Sequence, residues 1–270
     1  MNNPDNGRSR IAAAFQQTQQ GQTAALMPYF TLGYPDRTTS MAVIEAIAPY
    51  SDLLELGIPF SDPLADGPTI QHSTQIALEQ GTTLVGCLEM IRVLRQRGLK
   101  TPVLLFGYTN PFLAYGLAQL VQDAAAVGVV GFIVPDLPPE EANEFEALAA
   151  SAGLVLVHFL APTSNPERID NVVNRATGFI YLVSLTGVTG ARTNLQSNLA
   201  EFVNRVRSKT AVPLAVGFGI STPEQASAVG HLADGVIVGS ALINAVRHAE
   251  GDKAGAAAEF VAALQAGLKK

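Results

Sequence analysis

The sequence predicts an α/β protein, a single-domain (β/α)8 (TIM) barrel over residues 1–270, with its barrel core at about 25–250 and an extra N-terminal helix. Short β-branched or aromatic runs, each closed by Gly or Pro, alternate with longer stretches whose apolar residues recur three and four apart. The strand-like runs, such as "VLLF" and "PLAVGFG", are apolar throughout, which is typical of parallel strands covered on both faces. Eight such units follow one another without a linker, which favours a closed barrel over the alternative, a doubly wound open sheet.

The elements are predicted in order from these patterns. The strands are expected at 25–32, 53–59, 102–108, 131–136, 154–161, 179–185, 212–217 and 235–239. The helices between and after them are expected at 39–49, 84–97, 112–127, 140–151, 167–176, 199–208 and 223–229, with a C-terminal helical stretch ending near Leu268. The extra helix, over 8–20, is expected to cap the bottom of the barrel.

Composition limits the partners and the compartment. The chain has 17 basic and 23 acidic residues, a formal charge of −6, and so no basic surface for nucleic acid or an anionic membrane. Its apolar runs are all broken well before the roughly 18 residues that span a bilayer. The single Cys87 excludes an intrachain disulfide, and its helical, apolar surroundings indicate a buried structural thiol. The polar first twenty residues resemble no signal peptide, so we expect a cytoplasmic protein.

The second predicted strand contains a carboxylate in an apolar run, "LLELGIP". Alternation along the strand places Leu53, Glu55 and Gly57 on one face, so Glu55 is expected to point into the barrel near its top. Barrel enzymes carry their chemistry at this end of the strands. A buried carboxylate is costly unless it is paired, protonated or used, so Glu55 is either a catalytic group or a buried acid satisfied by neighbours.

The loop after this strand, "FSDPLADGPTIQ", carries two more carboxylates. Asp beside Pro and Gly usually forms turns, which is the favoured interpretation of Asp62. Asp66 lies eleven positions beyond Glu55 on the same rim, so the two carboxylates are expected to face one substrate and to divide acid and base roles.

Glycine-rich segments follow the last three predicted strands. In barrels, a phosphate group is often bound by the loops after strands seven and eight and by the N-terminus of a short helix. Gly219 in "GFGIS" and Gly239 with Ser240 in "GSAL" fit such a cradle, and Gly190 after strand six would complete it. Glycine clusters are often only turns, but three at successive strand ends indicate a phosphate site.

Seven segments along the chain form one recognisable series. They are "LELGIPFSDPLADGPTIQ" and, in order around it, "MPYFTLGYP", "FGYTNPF", "GFIVPDLPPEE", "YLVSLTGVTGAR", "AVGFGIST" and "DGVIVGSALI". In this series the chain resembles the tryptophan synthase alpha chain family, and the first segment is similar to the family signature. The resemblance extends from about Met27 to about Ile243. The family cleaves indole-3-glycerol phosphate into indole and glyceraldehyde 3-phosphate, a retro-aldol reaction without a cofactor.

The resemblance implies a role for each carboxylate. Glu55 would move protons to the indole carbon and from the neighbouring hydroxyl, aided by an apolar setting that raises its pKa. Asp66 would accept the indole N–H, and a more solvated loop position is expected to keep it ionised. The family places Tyr108 and Tyr181 around the indole, and Tyr29 and Phe218 are expected to join them, although plain core packing is the alternative for such aromatic residues.

A long Gly-rich segment, 186–198, is predicted to be a loop that acts as a lid. By resemblance, Thr189 within it contacts the catalytic region. The alternative is an ordinary surface loop. Asp136, at the end of strand four, is either an active-site contact or a turn cap.

Other routes to this cleavage fit the sequence poorly. A Schiff-base aldolase needs a lysine at a catalytic strand end, whereas Lys100 and Lys209 precede strands. The four histidines are scattered without ligand-like spacing, so we expect no metal. Carboxylate acid–base catalysis is the route that remains.

The resemblance also implies a partner, a pyridoxal-phosphate-dependent beta chain that consumes indole in an α2β2 assembly. Its contact surface is expected to include Pro59, Asp62 and Pro63 in one loop and Asn110 with Pro111 in another. Pyridoxal phosphate would belong to the beta chain, so this chain is expected to hold no cofactor. Two other functions remain open at this point: another phosphate-binding barrel enzyme of amino-acid biosynthesis, or a catalytically silent barrel that activates a partner.

Overall fold

The computed structural model describes residues 6–183, 192–217 and 219–269, and their side chains except those of residues 192–197. Within these ranges, parallel strands form one closed barrel in chain order, β1-β2-β3-β4-β5-β6-β7-β8, with β8 paired to β1. The strands are β1 (Ala25–Thr31), β2 (Leu54–Gly57), β3 (Val103–Phe106), β4 (Val129–Ile133), β5 (Val155–Leu160), β6 (Ile180–Val183), β7 (Leu214–Gly217) and β8 (Gly235–Val238). The predicted barrel is confirmed, with each strand shifted or trimmed at its ends.

Helices cover the outside of the barrel and close its bottom. In the described part of the chain they are α1 (Gly7–Gln20), α2 (Arg37–Ile47), α3 (Pro68–Glu79), α4 (Leu84–Gln96), α5 (Thr109–Tyr115), α6 (Leu117–Ala126), α7 (Asn143–Ser151), α8 (Pro166–Arg175), α9 (Arg192–Arg207), α10 (Pro223–Gly230), α11 (Ser240–His248) and α12 (Lys253–Leu268). Short 3-10 turns lie at Ala48–Tyr50 and Pro139–Glu141.

Three helix predictions are wrong. Helix α3 was not expected, although Pro68 stands at its first turn, where proline starts helices. The helix predicted over 112–127 is two helices, because Gly116 adopts a φ of 91° that side chains with a Cβ rarely allow. Helix α9 begins at Arg192, so residues 192–198 of the predicted lid are helical. Residues 186–191 lie outside the described ranges.

Alternation along the strands sorts apolar side chains into two cores. Leu54 and Leu56 of β2 join the outer core between the barrel and its helices. Leu53 and Leu104 join the inner core with Ile11 and Phe15 of α1, which close the bottom of the barrel. The predicted bottom-capping helix is therefore confirmed, and inward-facing residues near the top of the strands are left to form the walls of a cavity.

An arginine ties the loops at the bottom rim. The partly buried guanidinium of Arg95 donates to the carbonyls of Leu99 and Thr101, each at 2.7 Å, and to that of Gly128 at 3.0 Å. Burial, together with nearby Arg10, lowers the pKa of Arg95 to about 10. These bonds join the loops that enter β3 and β4. Among the described helices, none is both long and apolar enough to cross a membrane.

Candidate active site

A cavity of about 790 Å³ opens at the carboxyl ends of the strands. Its described walls come from the strands, from the loop between β2 and α3, and from the loop before α10 and the first turns of α11. It brings together residues far apart in the chain, among them Tyr29, Glu55, Asp66, Tyr181, Gly219, Gly239 and Ser240. This is the end of the barrel at which the sequence places the chemistry.

Glu55 points into the cavity from β2, as alternation predicts. Its backbone is in register with Tyr29 on β1 and with Leu104 on β3. The side chain is fully buried, and neither carboxyl oxygen has a hydrogen-bond partner among the described residues. Burial raises the pKa of this carboxyl well above its usual value. Burial therefore favours the protonated form of Glu55, and the group can donate a proton first and accept one later.

Asp66 lies across the mouth in the loop that precedes α3. Burial raises the pKa of Asp66 to about 6, although a hydrogen bond from the Tyr108 hydroxyl opposes that rise. Asp66 is partly exposed, whereas Glu55 is fully buried, although the loop folds the Asp66 side chain against the rim. At pH 7 a carboxyl with this pKa is still roughly nine-tenths ionised. Asp66 can therefore accept an N–H hydrogen bond from a ligand.

Tyr108 supports Asp66 from behind the cavity wall. Its hydroxyl accepts a hydrogen bond from the Ala65 backbone N–H at 3.1 Å and donates to Asp66. Its ring packs on Phe60, with 5.4 Å between ring centroids. The structure thus places Tyr108 beside Asp66 and holds it at 3% exposure. Tyr108 therefore influences the cavity through the carboxylate of Asp66.

Two tyrosines lie against glycines on neighbouring strands. A Cβ at Gly57 would come within 2.1 Å of the Tyr29 hydroxyl oxygen, and a Cβ at Gly217 within 2.6 Å of that of Tyr181. Burial raises the pKa of both tyrosines, so both hydroxyls stay protonated. The absence of side chains at Gly57 and Gly217 thus makes room for two flat apolar walls beside Glu55.

The far end of the cavity is suited to an anion. Gly239 is the N-cap residue of α11, and Ser240 is its first helical residue, so backbone N–H groups and the positive end of the helix dipole lie there. Gly219 adopts a φ of 58° and lies on the same wall. Ser221 also lines this wall and was not predicted. The signal for it was its place after Gly219 in the loop "GFGIS".

Other lining residues were missed because they lack a local chemical signature. Phe159, Ile237 and Ile70 are apolar residues typical of a core, although Phe159 stacks on Tyr181 with 4.7 Å between centroids. Asn244 and His248 lie on α11, below the predicted cradle. Only the fold shows that these side chains reach the cavity.

The residues predicted to contact a partner differ in their exposure. Asp62 and Asn110 are exposed, and Pro63 and Pro111 are partly exposed. Pro59, two residues after β2, is buried in this chain, so its side chain is not on the exposed surface that the others form. Thr189, Gly190 and Phe218 lie outside the described residues.

The remaining candidates have structural roles. Asp136 accepts the Thr109 backbone N–H at 2.9 Å and so caps the start of α5, which supports the turn-cap alternative. Cys87 is fully buried, and burial raises its pKa, as expected of an inert thiol. Lys209 pairs with Asp170 at 2.5 Å, before β7. Within the described ranges, His, Cys, Asp and Glu form no group of three or more that could hold a metal ion.

Comparisons with known proteins identify the family of the chain. The family model of the tryptophan synthase alpha chain matches residues 15–270. A tryptophan synthase alpha chain from Roseiflexus castenholzii is 50% identical over 259 residues, covering 95% of this chain and 99% of the relative. One from Chloroflexus aggregans is 51% identical over 237 residues, covering 87% of this chain and 89% of the relative.

Solved structures of this family are similar to the chain over nearly its whole length. The crystal structure of tryptophan synthase subunit alpha from Legionella pneumophila matches with a TM-score of 0.89 at 35% identity, over 96% of this chain and 98% of that chain. A chain of tryptophan synthase from M. tuberculosis matches with a TM-score of 0.88 at 33% identity, over 97% and 98% of the two chains. Together with the barrel and the cavity that contains both carboxylates, these matches show that the chain belongs to the tryptophan synthase alpha chain family.

Proposed function

We propose that Glu55 and Asp66 carry out the lyase reaction of this family, the cleavage of indole-3-glycerol phosphate to indole and glyceraldehyde 3-phosphate. The observation that supports this most strongly is the fully buried Glu55 carboxyl, which has no hydrogen-bond partner among the described residues and lines one cavity with Asp66. A carboxyl kept there costs stability and is suited to proton transfer.

In the first step, protonated Glu55 gives its proton to the indole carbon that carries the glycerol chain. The ring becomes an indolenium cation, and Asp66, mostly ionised, accepts the indole N–H and stabilises the positive charge. The raised pKa of Glu55 favours the acid form that supplies the proton, and the pKa of about 6 leaves Asp66 mostly negative at pH 7.

In the second step, the Glu55 carboxylate takes the proton of the hydroxyl on the adjacent carbon. The carbon–carbon bond breaks, its electron pair returns to the ring, and the hydroxyl carbon becomes the aldehyde of glyceraldehyde 3-phosphate. Indole leaves neutral and Glu55 is again protonated, so no cofactor is consumed. Apolar walls from Tyr29, Phe106 and Tyr181 suit a flat indole ring between the two carboxylates.

The phosphate is assigned to the cradle at the start of α11. Gly219, Gly239 and Ser240 line it, and the helix N-terminus favours a dianion there. Gly190, Thr189 and Phe218 are proposed as further contacts on the strength of the family motif. Binding the phosphate at one end fixes the indole carbon at the other, close to Glu55.

A pyridoxal-phosphate-dependent beta chain is the proposed partner, in an α2β2 assembly. The support is the family and two exposed apolar side chains near the predicted contact residues: Leu64, 93% exposed beside Asp62 and Pro63, and Leu113, 55% exposed after Asn110 and Pro111. Pyridoxal phosphate would be held by the beta chain, and the cytoplasmic location stays a prediction from the sequence.

The test is indole release from indole-3-glycerol phosphate by the purified chain, with and without a beta chain. Glu55→Gln and Asp66→Asn keep the shape of each side chain and remove its proton chemistry, and both should reduce release at least about a hundredfold. The matched control is Asp62→Asn, an exposed carboxylate in the same loop as Asp66, which should retain the rate of the chain alone. An absence of release under both conditions would overturn the lyase assignment and leave a silent barrel.

A further inference from the structure

One aromatic side chain forms the part of the cavity wall that β5 contributes. Of the described residues of β5, Phe159 alone lines the cavity, and its side chain is partly exposed. Phe159 is in register with Tyr181 on β6, and their ring centroids lie 4.7 Å apart at an interplanar angle of 34°. Phe159 thus packs on one neighbouring ring and keeps part of its surface free for a ligand.

The strand order places this wall away from the groups that would anchor a substrate. Glu55 is on β2, and Asp66 is in the loop that follows β2. The cradle of Gly239 and Ser240 follows β8. In a closed barrel of eight strands in chain order, β6 lies opposite β2, and β5 is the neighbour of β6. Phe159 therefore faces the anchoring groups from the far side of the cavity.

The shape of indole then decides which of its atoms face Phe159. The ring nitrogen and the carbon that carries the glycerol chain flank one atom, C2, on the outer edge of the five-membered ring. Resting on the proposed function, Asp66 accepts the N–H and Glu55 protonates the chain-bearing carbon. Because both carboxylates come from β2 and its loop, the benzene part of the ring extends away from β2, toward β5 and β6. Its carbons C5 and C6 lie farthest from C2.

The wall that the benzene part meets is almost entirely hydrocarbon. Its other described residues are Pro135 after β4 and Tyr181 with Val183 on β6. The Tyr181 hydroxyl is turned toward β7, where a Cβ at Gly217 would come within 2.6 Å of it. Such a wall stabilises an unsubstituted ring through burial and close packing, whereas a larger ring would have to displace it.

We propose that Phe159 is a specificity-determining residue, whose ring limits the substituents that the indole can carry at C5 and C6. The phenyl ring is rigid, and its contact with Tyr181 opposes any rotation away from the cavity. A methyl group on C5 or C6 would have to enter this packed wall, which lowers affinity. The chain should therefore favour unsubstituted indole-3-glycerol phosphate over the forms methylated at these carbons.

The test compares indole-3-glycerol phosphate with its 5-methyl and 6-methyl forms. For the wild-type chain, kcat/KM should be at least about tenfold lower for one or both methylated forms, the range in which an apolar pocket distinguishes one methylene. In Phe159→Ala the difference should shrink to about threefold or less. Phe159→Leu keeps more of the apolar volume, which protects the fold, and should give an intermediate difference. A wild-type chain that cleaves all three forms equally well would overturn the proposal, as would an undiminished difference in both variants.

Ile70→Ala is the matched control. Ile70 lines the same cavity from the first turn of α3, and its Cδ1 would lie 3.5 Å from a Cβ at Gly239, beside the proposed phosphate cradle. This change removes apolar volume from the cavity but leaves the wall at β5 intact. The ratio of kcat/KM between parent and methylated substrates should therefore stay within about twofold of the wild-type ratio. An equal loss of discrimination in Ile70→Ala and Phe159→Ala would overturn the assignment to Phe159.

Binding measurements separate this proposal from the reaction itself. Indole-3-propyl phosphate keeps the indole ring and the phosphate but lacks the hydroxyl that Glu55 would deprotonate, so it binds without cleavage. Calorimetric titration with this analogue and its 5-methyl and 6-methyl forms should give Kd ratios that follow the same pattern in the wild type and the three variants.

The two proposals fail in different ways. Discrimination in Kd that Phe159→Ala removes, without indole release by the wild-type chain, would support the role of Phe159 and overturn only the lyase assignment. Equal Kd values for parent and methylated analogues in the wild type would overturn the role of Phe159 even if indole is released. An absence of binding by all three analogues would overturn the placement of the indole and with it this role.

Discussion

The Tyr108 hydroxyl donates a hydrogen bond to the carboxylate of Asp66 while it accepts one from the Ala65 backbone, one residue earlier in the same loop. One side chain from the end of β3 therefore fixes both the position and the charge of a group on the rim. The pKa of Asp66 is the balance between burial, which raises it, and this bond, which lowers it.

Removing that bond should shift the acid side of the activity profile. Asp66 must be ionised to accept an N–H, so kcat/KM should fall as pH drops through about 6. In Tyr108→Phe the carboxylate loses a donor, its pKa rises, and the acid limb should move up by about one unit. Tyr115→Phe is the control, since its hydroxyl donates to Asp123 on the outer helices. A profile of Tyr108→Phe that matches the wild type would contradict this account of Asp66.

Glu55 should make the fold less stable at high pH. Its pKa is higher in the folded than in the unfolded protein, so the folded state binds the proton more tightly and loses stability as pH rises above the usual glutamate value. Gln does not titrate. The melting temperature of Glu55→Gln minus that of the wild type should therefore rise by at least about 2 °C from pH 6 to pH 9. The control is Glu144→Gln, an exposed residue of α7. Parallel melting curves at both pH values would refute the prediction.

The proposed phosphate site at the N-terminus of α11 can be tested by removing one backbone N–H group. Proline is tolerated at the first position of a helix, so Ser240→Pro should fold while removing one backbone donor from the cradle. Because a hydrogen bond to a charged group contributes about 1.5–3 kcal/mol, KM for indole-3-glycerol phosphate should rise about tenfold or more. Ser240→Ala keeps the N–H and should stay within about threefold of the wild type. Equal KM values for the two variants would place the phosphate elsewhere.

The glycines behind the aromatic walls should not accept a side chain. In Gly217→Ala the new Cβ would lie 2.6 Å from the Tyr181 hydroxyl oxygen, which must then move into the cavity. We expect a higher KM and a loss of about 1–3 kcal/mol in the free energy of unfolding. Gly86→Ala in α4 is the control, because its nearest neighbour lies 3.4 Å away. Denaturant unfolding and steady-state kinetics measure both effects, and an unaltered KM would contradict the proposed indole wall.

The exposed leucines test the partner surface. Leu64→Ser and Leu113→Ser remove apolar area without touching the cavity, so the chain alone should keep its fold and its rate. Burial of one leucine contributes about 1.5–3 kcal/mol, so each change should weaken binding of a beta chain about tenfold or more in calorimetric titration. Val85→Ser, which changes an exposed side chain of α4, is the control. Unchanged affinity in both leucine variants would move the interface elsewhere.

Local patterns were enough for the barrel and for the direction of Glu55. A strand buried on both faces is apolar throughout, and alternation then decides which residues point inward. The start of α3 was also present in the sequence, as Gly67 followed by Pro68, but the turn-like composition of the loop before it masked the signal.

The features that the sequence did not predict depend on contacts between residues far apart in the chain. The charge of Asp66 depends on Tyr108, which lies 42 positions later, and on how the loop folds against it. The hydrogen bond between Thr31 Oγ1 and Ser73 Oγ likewise joins two residues 42 positions apart. Neither pair has a spacing rule, because both contacts are made by the closure of the barrel.

The Arg95 bonds at the bottom rim have a consequence for how this protein can evolve. They secure the loops entering β3 and β4, at the opposite end of the strands from Glu55 and Asp66. Robustness and chemistry are therefore encoded in separate sets of residues. Substitutions that raise thermal stability can be made in the lower loops, and substitutions that change the substrate can be made at the catalytic rim. The two choices are separate because the residues lie at opposite ends of the strands.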